Sequence, residues 1–245
     1  MLDRGFALLG AFDRDHPRLN LVDLSRRSGL PKTTAARLAG RLVNWGALER
    51  DEHGRYAVGL RLLQVASLAP RGQGLREIAL PFMGDLAEAV HQHVLLVVRD
   101  GDEGVLVDRI SSHRALAPLY HPGDRLPLHS TGAGLVLLAH APTELQEAIL
   151  AQHLVQEPEK LPISAEALRR TLAGARRSRL ATLRRDRPVP MVSVAAPIVA
   201  PGNRTVAALS VVVPEKLTDG RWLGAAVTTT ATGISRVLSE RGSPD

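Results

Sequence analysis

The strongest constraint on this chain's fold lies in residues 20–58, where a short helical pattern, a glycine turn, a longer helical pattern and a hairpin follow one another directly. Asn20 offers an N-cap with Asp23 three residues on, a variant of the capping box, and Leu21, Leu24 and Arg27 continue at helical spacing until Ser28-Gly29. Leu30-Pro31-Lys32 restarts the chain with Pro31 suited to a first helical turn, and Ala35, Leu38, Leu42 and Trp45 form one apolar stripe that Gly46 stops. Two helices joined by so short a glycine turn make a helix-turn-helix. Residues 47–50 and 55–58 then alternate as strands around Asp51-Glu52-His53-Gly54, a hairpin that reads as a wing. Ahead of the motif, Leu2, Phe6, Leu8, Leu9 and Phe12 predict an amphipathic helix ending within residues 13–17.

The residues off the apolar stripe of the longer helix are Lys32, Thr33, Thr34, Ala36, Arg37 and Arg41. Thr33, Arg37 and Arg41 recur four apart on one face, presenting hydroxyl and guanidinium groups of the kind that meet base edges and phosphates, and Arg55 adds a cation in the wing. Any amphipathic helix has a solvated face, so this face alone does not decide; its place in a compound winged motif does. Charge follows the motif. Residues 1–70 carry 11 Lys and Arg against 7 Asp and Glu, a net of +4, while the other 175 carry 20 against 18, a net of +2.

The 245 residues are enough for two cores, and 44% hydrophobic with 23% charged residues is globular composition. The absence of cysteine excludes disulfide frameworks, zinc ribbons, iron–sulfur clusters and thiol nucleophiles and fits a reducing interior, so a cytoplasmic protein is expected. Residues 1–5 lack the pattern of a signal peptide, and no apolar run approaches a membrane span. Nine histidines invite a metal, and His91-Gln92-His93 could put two imidazoles on one strand face, with His113, His121 and His129 in later segments. No helical His-x-x-x-His pair supports it, and no metal or cofactor is expected. Ser130 has no Gly-x-Ser-x-Gly elbow, and phosphate-binding glycine motifs are missing, so no catalytic residue is assigned.

Pro70, Gly72 and Gly74 punctuate the chain after a helical pattern at residues 59–66. The expected division is a winged helix-turn-helix domain at 1–59, a linker helix and connection at 60–74, and an effector-binding domain at 75–245. In the last, helices are predicted at 75–90, 132–140, 143–151, 165–179 and 223–241. Strands are predicted at 93–98, 104–110, 116–120, 191–198 and 205–213. Hairpins mixed with helices imply an α+β domain with an antiparallel sheet.

These residues resemble the IclR family of bacterial transcription regulators. Phe6-Ala7-Leu8-Leu9 is similar to the family's opening helix, residues 24–34 to its helix-turn-helix and Tyr56-Ala57-Val58-Gly59 to the end of its wing. Leu106-Val107-Asp108-Arg109-Ile110, the stretch from Gly123 to Gly134, Ala195-Ala196-Pro197-Ile198 and residues 207–211 continue the resemblance in the family's order. It implies a second domain of the GAF and profilin-like kind that binds a small, organic, anionic or aromatic effector. The implied pocket draws on Leu126, Gly132, Ala133, Met191, Ser193 and Ser210. Residues 130–134 also begin a predicted helix, whose N–H groups could hold a carboxylate, although simple capping with glycines packed close to a sheet accounts for them equally well. One departure stands out: where the family commonly carries acidic residues, this chain has Leu183-Arg184-Arg185-Asp186-Arg187. Those arginines either admit a more anionic ligand or face solvent on a loop.

The expected function is a ligand-responsive regulator, repression favoured over activation, whose partners are double-stranded operator DNA, a small-molecule effector and further copies of itself as a homodimer or dimer of dimers. Leu60, Leu63 and Leu68 are the candidate dimer contact, unless that helix packs on its own domain. The alternative is a small-molecule-binding or enzymatic sensor whose basic N-terminal module contacts proteins.

Overall fold

By its internal contacts the chain divides into two units, Met1–Ala69 and the remainder from Pro70, in a computed structural model that describes residues 1–113, 115, 120–156, 161–186, 189–217 and 220–241.

The first unit comprises α1 (Leu2–Leu9), β1 (Arg18–Leu19), α2 (Leu21–Ser28), α3 (Lys32–Trp45), β2 (Leu48–Arg50), β3 (Tyr56–Val58) and α4 (Leu60–Ala66). Asn20 Oδ1 accepts the N–H groups of Val22 and Asp23, each at 2.9 Å, so the predicted cap forms. Asp23 does not complete a reciprocal box; its carboxylate meets Arg26 at 2.8 Å. Gly29 closes α2 with φ 68, its N–H donating to Arg26 O and that of Leu30 to Ser25 O, a left-handed turn that glycine adopts without strain. Pro31 sits at the N-cap of α3, one residue earlier than its composition suggests, because its extended ψ of 140 is not helical.

Leu8, Leu24, Ala35, Leu38, Ala39, Leu48 and Tyr56 form the core of this unit. The stripe of α3 therefore passes through Ala39 and leaves Trp45 at its margin. At about 100° per residue Trp45 lies about 80° round the helix from Ala35, and it is 45% exposed with Arg61 above its ring at 4.7 Å. Likewise α1 stops at Leu9 on Gly10, short of the predicted end, and Leu2 and Phe6 are exposed. The wing forms as β2 and β3, with Gly54 at φ 75 in its turn. Its third strand, β1, pairs Arg18 with Ala57 and Leu19 with Tyr56; two residues are too few to show alternation in the sequence.

The second unit begins with α5 (Pro70–Val90), β4 (His93–Asp100), β5 (Glu103–Ser111) and β6 (Arg125–Pro127). There follow α6 (Gly132–Ala139), α7 (Thr143–Leu150), the small hairpin of β7 (Val155–Gln156) and β8 (Leu161–Pro162), and α8 (Ala165–Ser178). The chain ends in β9 (Ala181–Arg185), β10 (Met191–Ala200), β11 (Arg204–Pro214) and α9 (Gly220–Arg241). Six strands form one antiparallel sheet in the order β6-β5-β4-β11-β10-β9. Along β10, Val192, Val194, Ala196 and Ile198 join one core with residues of α5 and α9, while Ala195 joins a second core beneath α6 and α8. Burial on both faces explains why the central strands read as unbroken apolar runs rather than as alternation.

α5 starts five residues before the predicted Leu75, since proline at a helix start sacrifices no hydrogen bond. Of the predicted strand at 116–120, residues 116–119 lie outside the described ones. The histidine pair separates: His93 is buried in β4 with Nδ1 2.9 Å from Ser111 Oγ, whereas His91 lies before the strand with φ 52.

Candidate functional site

On α3, Lys32, Thr33, Arg37 and Arg41 are exposed and Thr34 is half-buried. A side chain added at Gly40 would meet nothing within 4 Å, so that stretch of the helix surface is open. Arg55 stands in the wing with its Nε 3.0 Å from Asp51 Oδ2, and Arg18 meets the same oxygen at 3.1 Å. Asp51 also accepts the N–H groups of Arg55 and His53 at 2.9 and 3.0 Å. The Arg55 backbone hydrogen bond, followed by the side-chain bond and charge of Arg55, holds the Asp51 carboxyl below its ordinary value of 3.8. One carboxylate thus ties the two ends of the hairpin to β1.

In the second unit Leu126, Gly132, Ala133, Met191, Ser193 and Ser210, four segments apart in sequence, line one cavity with a free volume of about 40 Å³. Its wall is completed by Leu95, Tyr120, Ser130, Thr131, Leu183, Arg185 and Val212. Sheet register builds the floor. Leu183, Ser193 and Val212 stand side by side on β9, β10 and β11, and Ala195, Ser210 and Leu95 form the next row. Ser193 and Ser210 are diagonal neighbours whose hydroxyls lie 3.0 Å apart.

The start of α6 closes against that floor. Thr131 Oγ1 accepts the Gly134 N–H at 3.1 Å and donates to Pro127 O at 2.8 Å, so this helix carries an ordinary side-chain cap. A Cβ on Gly134 would come within 2.6 Å of Pro127 O and 2.7 Å of Leu128 Cα. Capping and close packing both account for the glycines here.

The basic run is divided by strand alternation, since Arg184 and Arg185 belong to β9 rather than to a loop. Arg184 is exposed and pairs with Asp186 at 3.0 Å and with Glu215; the Asp186 hydrogen bond, then the Glu215 charge, raises its pKa further above the ordinary arginine value. Arg185 lines the cavity, and its Nε is buried with no hydrogen-bond partner. Arg187 lies outside the described residues. Arg185 carried a signal in the sequence, the cluster of arginines, but not its direction. Tyr120 and Leu95 carried none, because one ends a predicted strand just before the turn residues His121-Pro122-Gly123-Asp124 and the other is one apolar residue within a run. Among the described residues no cluster of three metal-ligating side chains occurs, and no helix is long and apolar enough to cross a membrane.

Comparison with known proteins agrees with this layout. Residues 1–52 match the IclR helix-turn-helix domain, and residues 69–236 match the C-terminal domain of the bacterial transcriptional regulator IclR. The HTH-type transcriptional repressor AllR of Escherichia coli is 30% identical over 251 residues, covering 99% of this chain and 92% of AllR. The HTH-type transcriptional regulator KipR of Bacillus subtilis is 32% identical over 166 residues, 64% of this chain and 66% of KipR. A solved IclR homolog from Microbacterium hydrocarbonoxydans, complexed with 4-hydroxybenzoate, superposes with a TM-score of 0.90 at 32% identity, over 97% of this chain and 98% of that one. With both units matched in order and across most of its length, the chain belongs to the IclR family of transcriptional regulators, DNA-binding proteins rather than enzymes.

Proposed function

We propose that the protein holds operator DNA through α3 and the wing, and that a small organic effector bound in the second unit changes that hold, repression being the favoured output. The observation that carries the reading is the convergence of six residues from four separate segments on one cavity, in a different unit from the exposed cationic face of α3. Thr33 and Arg37 occupy the middle of that face and suit base edges, with Thr34 and Arg41 beside them. Lys32 and Arg55 suit phosphates. The 4-hydroxybenzoate complex of the Microbacterium homolog supports an organic effector.

A single recognition helix reads too few base pairs for specificity, so the working form is a homodimer or dimer of dimers on a pseudo-palindromic site. Residues 60–74 serve on this reading as the connection between the DNA-binding and effector-binding parts. Leu60, Leu63 and Leu68 are 68%, 63% and 79% exposed and supply an apolar dimer contact. The reading needs no cofactor, and its working compartment is the cytoplasm, where the chromosome lies.

Gel-shift titration of the full chain on DNA selected from a random pool tests the reading. The logarithm of the binding constant should fall linearly with the logarithm of salt, with a slope of about −0.9 per phosphate contact, and an effector should shift it. Selection that enriches no sequence above the random pool would overturn it.

A further inference from the structure

A polar diagonal crosses the cavity floor from the sheet edge inward. Arg185 on β9 stands opposite Met191, Ser193 lies two residues farther along β10 on the same face, and Ser210 lies diagonally beyond it on β11. Diagonal neighbours on antiparallel strands are about 7–8 Å apart, within reach of a long side chain. The Ser193 and Ser210 hydroxyls already meet at 3.0 Å, while Arg185 Nε is buried with no acceptor among the described residues. A buried donor in that condition is destabilising until an acceptor arrives. No Asp or Glu is among the described residues lining the cavity, which are otherwise mostly apolar.

We propose that Arg185 binds the carboxylate of a small monocarboxylic acid, with Ser193 as a second donor and the acid's apolar body against Leu126, Leu183 and Val212. The inference rests on the reading that this cavity is the effector site and adds the residue that selects the effector's carboxylate. One cation on a wall whose described residues include no carboxylate matches one negative charge; a neutral ligand leaves the buried Arg185 Nε without an acceptor, and a dianion leaves a charge uncompensated. The planar guanidinium fork fits a carboxylate's two oxygens. The free volume of about 40 Å³ limits the acid to a compact body or requires wall side chains such as Met191 to move.

The test is thermal shift and calorimetry on the full chain with four acids, propionate, isobutyrate, benzoate and 4-hydroxybenzoate, each beside its carboxamide. At least one acid should bind wild type about tenfold or more tighter than its amide, a preference that Arg185→Gln abolishes and Arg185→Lys retains in part. Arg184→Gln, on the opposite face of β9, should leave the preference intact. Circular dichroism of each variant without ligand secures folding, and Arg185→Lys carries the test where Arg185→Gln does not fold. The proposal is overturned if acids and amides bind equally, if no acid binds, or if Arg185→Gln keeps the preference. Filling the cavity with Val212→Phe separates this from the underlying reading. Amide binding lost in Val212→Phe would leave the cavity as the effector site without its carboxylate preference, whereas acid binding that survives Val212→Phe removes the site itself.

Discussion

A Cβ on Gly132 would lie 2.3 Å from Ser193 Oγ and 2.9 Å from Ser193 Cβ, so the first residue of α6 rests directly on the strand that forms the cavity floor. A larger residue at 132 therefore collides with the protein before it meets any ligand. Gly132→Ala should destabilise the second unit by about 1–3 kcal/mol, the usual range for overpacking. Ser193→Gly removes both clashing atoms and should restore part of that loss in the double variant. A double-mutant cycle by urea denaturation checks it. Strict additivity of the two changes would show that the helix start moves away freely.

Lys32 and Arg37 of α3 should behave differently on DNA. Arg37, mid-face and exposed, suits a base-edge contact, whereas Lys32 lies at the helix start, beside the first free N–H groups where phosphates bind. Arg37→Ala is expected to cost about 1–3 kcal/mol on the selected site and to relax discrimination at one base pair. Lys32→Ala should weaken all sequences alike and lower the salt slope by about one. Competition gel shifts against random DNA distinguish the two, and an equal loss on both DNAs from Arg37→Ala would refute its reading role.

Much of the first unit was legible because its signals are local. The Asn20 cap, the glycine stops at Gly29 and Gly46 and the Gly54 turn each act within a few residues of themselves. What escaped depends on distant partners: β1 exists only because β3 lies beside it, and Trp45 stays at the margin of the core with Arg61 of α4 over its ring. The cavity divides in the same way. Gly132 and Ser193 stand in recognisable stretches, but the opposite fates of Arg184 and Arg185 follow from the register of β9 on β10, which adjacent arginines in a sequence do not reveal.

Helix α4 contains no buried residue, and Leu60, Leu63, Val65 and Leu68 are all more than half exposed. On the proposed dimer reading these apolar side chains are the contact with a second copy. Leu63→Glu should raise the dimer dissociation constant by at least tenfold without lowering the stability of the first unit, because the side chain supports no core there. Sedimentation velocity across a dilution series measures the first effect and thermal melting the second. An unchanged sedimentation coefficient would move the dimer contact elsewhere.

Asp51 makes the wing sensitive to acid. Its folded pKa lies below 3.8, chiefly through the Arg55 backbone hydrogen bond, so its contribution to stability is complete above 3.8 and is lost as pH falls through the lower folded value. Asp51→Asn keeps an oxygen that can accept the Arg55 and His53 N–H groups but removes the charge that pairs with Arg18 and Arg55. Wild type should therefore exceed the variant in urea midpoint at about pH 6 and converge with it towards about pH 3. The substitution also frees two guanidinium groups on the wing and removes a negative charge, which should strengthen binding to random DNA at low salt and lose that advantage at high salt. A midpoint difference that stays constant between the two pH values would show that the Asp51 charge does not hold the hairpin. Unchanged binding to random DNA would remove Arg55 from the phosphate contacts, since an ion pair that competes with phosphate must yield affinity when it is broken.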